Sequence, residues 1–181
     1  MKKELALNLL LWCAAAALAY LALLHVVLHG WLDAETGLFR TDRMLVLPLV
    51  PGALMLLVTT VLFTIPVSQH RRYALHLAAR PAPWYWVLLL LAGGICIAGL
   101  GFDWLYLALV DNTLPQAFAD SVARMSVQSG REPDMAVLQA FAQMPLFAQN
   151  TFLNLLTALL GSGAALLLAR TFARSAAREL A

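Results

Sequence analysis

The stretch 111-DNTLPQAFADSVARMSVQSGREPDMAVLQAFAQMPLF-147 is the longest part of the chain that water tolerates, and its reading decides the fold. Thr113 suits a helix cap, with Pro115 in the first turn. Leu114, Phe118, Val122 and Met125 then recur at +4, +4 and +3, which places them on one helical face away from Asp120, Arg124 and Gln128. Ser129 and Gly130 break the pattern. Pro133 opens a second helix, whose Met135, Leu138, Phe141 and Ala142 make another apolar stripe. Two amphipathic helices joined at a glycine follow, each too short to be stable alone in water. Their faces must bury against each other, against a neighbouring bundle, or in a headgroup layer.

What flanks this hairpin is apolar. The chain has 181 residues, of which 62% are hydrophobic and 12% charged; soluble domains run at roughly half apolar and about a quarter charged. The apolar residues fall in four blocks at about 5–29, 44–67, 84–110 and 150–170, each long enough to cross a bilayer as a helix. The expected fold is all-α: an integral membrane four-helix bundle over residues 1–181, forming one domain, with the hairpin at 111–147 between spans 3 and 4. The first block is too long for the core of a signal peptide and reads as a retained span. Pro51 is expected to bend or loosen the start of the second span, which closes near Pro66. The third block, framed by Trp84, Tyr85 and Trp86 and by Trp104 and Tyr106, exceeds a ~30 Å hydrocarbon core and must tilt or protrude.

Lys and Arg set the orientation. Lys2, Lys3, Arg71, Arg72, Arg80, Arg170, Arg174 and Arg178 share one side, against Arg40, Arg43, Arg124 and Arg131 on the other. Both termini are therefore expected in the cytoplasm, with the hairpin extracytoplasmic. The bias to Arg, Ala and Leu suggests a GC-rich bacterial source and so the bacterial inner membrane. A net charge of +2 without a basic block argues against a nucleic-acid partner. Cys13 and Cys96 lie alone in apolar blocks and read as small packing residues.

The order of four spans, a basic connector, a long third span ending in Tyr106 before an acidic, Pro-containing turn, and an amphipathic hairpin resembles the bacterial family catalogued as domain of unknown function 4199. Gly161, Ser162 and Gly163, ahead of a basic tail, are similar to that family as well. The resemblance covers nearly the whole chain. It implies a small integral membrane protein of unassigned activity and brings no active-site residues with it.

Four constellations bear on chemistry. His25, His29 and Asp33 stand four apart on one face of the first span, and Asp103 lies at a similar depth on the third. Such a set has the donors for a divalent metal or a proton relay; the structural reading makes Asp103 a hydrogen-bonding partner of His25 or a neighbouring helix. His70 and His76 read as titrating surface residues of the connector. Ser162, twelve residues along the fourth span from Asn150, is too deep for His25 to act as its base, so packing is expected of it. Ala158/Ser162 and Gly161/Ala165 have the spacing of close helix approach, and Gly94/Ala98, Gly101, Ala15, Ala19 and Ala22 suit the same role. Asn150, Asn154, Thr157 and Gly161 form a polar stripe that either lines a solute path or hydrogen-bonds across an interface. The leading expectation is a non-enzymatic protein without cofactor, whose partners are the bilayer and a second copy or another membrane protein. The alternative is metal or proton handling by the His/Asp set. The hairpin is expected to lie over that set as a lid.

Overall fold

The computed structural model describes the backbone of residues 2–76, 84–110 and 113–179, and the side chains of 7–70, 84–110 and 113–171. The side chains of Lys2, Lys3, Arg71, Arg72, His76, Arg174 and Arg178, and all of Arg80 and Asp111, lie outside the described residues.

Four long helices carry the apolar blocks: α1 (Lys2–His29), α3 (Val50–His76), α4 (Trp84–Leu109) and α8 (Thr151–Glu179). Along them run the apolar segments Leu7–His29, Leu47–His70 (which begins in the turn before α3), Trp84–Leu109 and Thr151–Thr171, of 21 to 26 residues each. At 1.5 Å per residue all four reach across a ~30 Å hydrocarbon layer. Leu11, Leu18, Val26, Leu57, Ile97 and Leu160 point outward and stay exposed. An apolar exterior of this extent is unfavourable in water and natural in lipid, where a helix also satisfies its own backbone. The chain is a membrane protein built as a bundle of four helices.

The helices form a ring in the order α1, α3, α8, α4, with the most extensive contact between α3 and α8. Small residues set those contacts. A Cβ at Gly161 would overlap the Thr59 hydroxyl of α3, and one at Gly94 would come within 2.6 Å of the Cys13 sulfur of α1. Ala158, Ser162 and Ala165 are buried alongside. On α1 the expectation holds in part: Ala19 packs half-buried against the core, while Ala15 and Ala22 are exposed, and Gly101 meets nothing within 4 Å. Ala16 and Ala17 are buried instead, on the face shared with Cys13, Tyr20 and Leu24.

The entry to the second span is stepped. A short helix α2 (Thr41–Met44) and a 3₁₀ turn at Leu47–Leu49 precede α3, so Pro51 sits in the first turn of that helix and does not kink it. Pro66 lies inside α3, which continues past it to His76. His70 is buried edge-on against Trp84, with ring centroids 5.8 Å apart, and is not the surface residue expected. Cys13 and Cys96 are buried free thiols, as expected of packing residues.

The hairpin consists of α5 (Thr113–Gln128) and α6 (Met135–Ala142), turned at Gly130, whose φ of 72° is the left-handed conformation that glycine tolerates best. The second helix starts two residues later than Pro133 suggests: Asp134 is its N-cap, accepting hydrogen bonds from the N–H groups of Ala136 and Val137. Leu114 is buried, and Phe118, Val122 and Met125 are half-buried against the core. On α6 the stripe is looser. Leu138 is half-buried, while Met135 and Phe141 are exposed. A further short helix, α7 (Leu146–Gln149), straddles the expected end of the hairpin and leads into α8.

Candidate functional site at the hairpin end

Phe147 is the centre of the site, and sequence reasoning treats it only as a boundary. Its side chain is fully buried, edge-on to the Tyr20 ring at 5.5 Å, and pressed on Gly99 of α4, where any Cβ would overlap the ring. Its backbone N–H belongs to the first turn of α7, whose N-cap is Pro145 and offers no side-chain acceptor. Asp103 of α4 supplies one from across the bundle: its Oδ2 accepts the Phe147 N–H at 2.7 Å. A carboxyl group 3% exposed thus caps a helix forty-four residues away in sequence, replacing a local cap and meeting the positive end of the helix dipole.

Tyr20 closes the other side. Its hydroxyl donates to Asn154 Oδ1 at 3.0 Å, linking α1 to α8 across the bundle axis, and both residues are fully buried. The Asn154 amide in turn donates to the Phe147 carbonyl at 3.5 Å. Such contacts between spans are worth roughly 0.6–2 kcal/mol each. One buried constellation of Tyr20, Asp103, Phe147 and Asn154 therefore ties α1, α4, α7 and α8 together.

The remaining members of the polar stripe face inward on their own helix. Asn150 Nδ2 donates to the Leu146 carbonyl, Thr157 Oγ1 to that of Leu153 and Ser162 Oγ to that of Ala158. Gly161 is filled by Thr59 of α3. Asn154 and Gly161 of the stripe are thus packed inside the bundle, while Asn150 and Thr157 are half-buried and bond back to local backbone. Ser162, fully buried on α8, has its hydroxyl engaged at 2.7 Å.

Of the expected metal set, the structure brings two members together and separates the others. His25 Nε2 lies 3.9 Å from Asp103 Oδ1, in keeping with the depths read from the sequence. The His25 ring packs at 4.4 Å on Tyr106, and neither of its nitrogens has a hydrogen-bond partner. His29 is exposed, its ring stacked 6.2 Å from that of His25. Asp33 is turned into its own loop, where Oδ1 accepts the N–H of Thr36 at 2.9 Å, the Thr36 hydroxyl at 3.1 Å and the N–H of Glu35 at 3.1 Å. Those donors, Thr36 first, hold its carboxyl below the ordinary carboxylate range. A turn of this kind competes for the side chain that a metal would need, and among the described residues no group of three or more His, Cys, Asp or Glu converges. The four-residue metal site of His25, His29, Asp33 and Asp103 is not formed.

The hairpin does cover the pair. Thr113, Leu114 and Pro115 of α5, with Pro145 and Leu146, enclose His25, Asp103 and Tyr106 around a cavity of about 10 Å³, the room of a single water. A second tie comes from the loop after α1. The Phe39 N–H donates to Ser121 Oγ of α5 at 2.9 Å, and that hydroxyl donates to the Ala117 carbonyl. Ser121 is a contact that the apolar-stripe reading passes over. In chemical terms the site is a clamp with one unsatisfied imidazole beside a carboxyl group.

No family model matches the chain, and no curated protein or solved structure does. Fold and site define the class on their own: a four-span membrane protein with a helical hairpin docked over one end.

Proposed function

We propose that this is a non-enzymatic protein of the bacterial inner membrane that acts by assembling with a second copy or another membrane protein. Both termini face the cytoplasm in this reading and the hairpin lies outside, supported by the eight Lys and Arg residues on one side against four on the other. Membership of the family catalogued as domain of unknown function 4199 belongs to the same proposal and rests on the span order and the hairpin.

The observation that carries the reading is how the buried polar groups are used. Tyr20, Asp103 and Asn154 direct their hydrogen bonds to one another or to the backbone of another helix, so their chemistry goes into holding helices in place. Met135, Val137 and Met144 meanwhile leave apolar surface on the hairpin for a partner.

A second reading has one specific observation in its favour. His25, with both ring nitrogens unsatisfied next to Asp103, is arranged as a proton-handling pair would be. Combining His25→Ala with Asp103→Asn separates the two, because Asn keeps an acceptor for Phe147. Loss of complementation in a deletion strain, with normal insertion and normal oligomer size, supports proton handling. Loss of assembly, or full complementation, supports the assembly reading.

A further inference from the structure

We propose that a cleft between the hairpin and the bundle holds the headgroup-proximal methylenes of one acyl chain of a zwitterionic bilayer phospholipid. The cleft encloses about 140 Å³, close to the engineered apolar cavity of about 150 Å³ that takes up benzene. Leu24 and Leu28 of α1, Leu47 and Pro51 at the entry to α3, and Phe118 and Phe141 of the hairpin form its walls. Two amides, Gln149 and Asn150, complete the lining, and their N–H groups are engaged. Gln149 Nε2 donates to the carbonyls of Phe141 and Met144 at 2.9 and 3.0 Å, and Asn150 Nδ2 to that of Leu146 at 3.0 Å. Hydrocarbon is the chemistry that such a wall accepts.

Depth identifies the source. Leu28 is one residue from the end of the first apolar segment, Leu47 begins the second, and Asn150 immediately precedes the fourth. The cleft thus lies at the rim of the hydrocarbon layer, where acyl chains leave their headgroups. Exposed Leu45 and Leu49 beside it give an apolar doorway from the lipid. Phe39 is shared between this cleft and a polar surface basin walled by Arg40, Arg124, Asp33, Glu35 and Asp42. Below Phe39 the surface suits a chain. Beyond it, Arg124 and Glu35 stand beside the Arg40–Asp42 ion pair of 3.4 Å, a mix of charges that suits a phosphate with an attached ammonium, the headgroup of a zwitterionic phospholipid.

The test uses the full chain in nanodiscs of phosphatidylethanolamine carrying a trace of the same lipid with a diazirine near the carboxyl end of one acyl chain. After photolysis, peptide mass spectrometry locates the adducts. The proposal expects adducts on buried Leu24 and Leu47, falling at least fivefold in Phe118→Trp or in Leu28→Phe while labelling of lipid-facing Leu57 and Leu160 is unchanged. It also expects at least a threefold fall when the surrounding lipid is anionic phosphatidylglycerol. Adducts restricted to Leu57 and Leu160 overturn it. So does undiminished cleft labelling in whichever filled variant folds, displacement of the probe by an isoprenoid quinone, or a cleft filled by a second copy of the chain.

Discussion

Replacing Asp103 by Ala removes the acceptor of the Phe147 N–H and leaves that donor buried with no partner. A buried polar group stranded in this way costs about 1–3 kcal/mol. At 1.4 kcal/mol per tenfold, the equilibrium between docked and locally opened α7 shifts by roughly 5- to 150-fold. Hydrogen–deuterium exchange of the full chain in nanodiscs reads this directly, because the opening exposes the amides of 146–150. Their exchange is expected to accelerate by that factor in Asp103→Ala, while the amides of α3 around Met55 to Phe63 stay protected. Asp103→Asn presents a carbonyl oxygen at the same place and should recover most of the protection. If Asp103→Ala leaves residues 146–150 within twofold of the parent protein, the carboxyl group is not what seats the helix, and the clamp is wrongly assigned.

Other perturbations test the packing and the loop. Gly99→Ala forces a methyl group into the Phe147 ring and Gly161→Ala one into Thr59; each is expected to cost about 1–3 kcal/mol in reversible SDS unfolding. Gly101→Ala and Gly163→Ala, which meet open space, should stay within about 0.5 kcal/mol of the parent. Tyr20→Phe keeps the ring against Phe147 but loses the bond to Asn154, for an expected loss of about 0.6–1.7 kcal/mol in the same assay. Asp33 sets a pH dependence. Because its carboxyl titrates below the ordinary range when folded, the turn it caps is complete above the unfolded carboxylate pKa of about 4 and is lost as pH falls through the lower folded value. The amide shifts of Glu35 and Thr36 in NMR should move together in that acid range, and the movement should disappear in Asp33→Asn.

The sequence shows its hydrophobic lengths openly, and four spans with an intervening hairpin follow from them. Depth along a helix is also countable, and counting alone sets His25 level with Asp103. Rotation about the helix axis is another matter. A span that is apolar all round has no polar face to mark its exterior, so Ala15 and Ala22 look as suitable for packing as Ala16 and Ala17, although it is the latter two that α1 buries. Phe147 is hidden for a related reason. Its partners Tyr20, Gly99, Asp103 and Asn154 come from three helices, and no local spacing links them. Asp33 misleads because α1 ends at His29, which takes Asp33 out of the i, i+4 series, and the loop turned at Gly37 (φ 67°) hands its carboxyl to Thr36. His70 looks like surface because Arg71 and Arg72 follow it, yet α3 extends that far and Trp84 covers the ring.

Assembly through the hairpin is the central functional claim, and photo-crosslinking in living cells tests it most directly. A benzoylphenylalanine at Val137, on the exposed face of α6, should yield a discrete adduct with a second copy or with one other membrane protein, and the same residue at Ala158 in the bundle core should yield none. A chain that stays monomeric with the probe at Val137, Met135 and Met144 alike, while still complementing its deletion strain, would contradict the account.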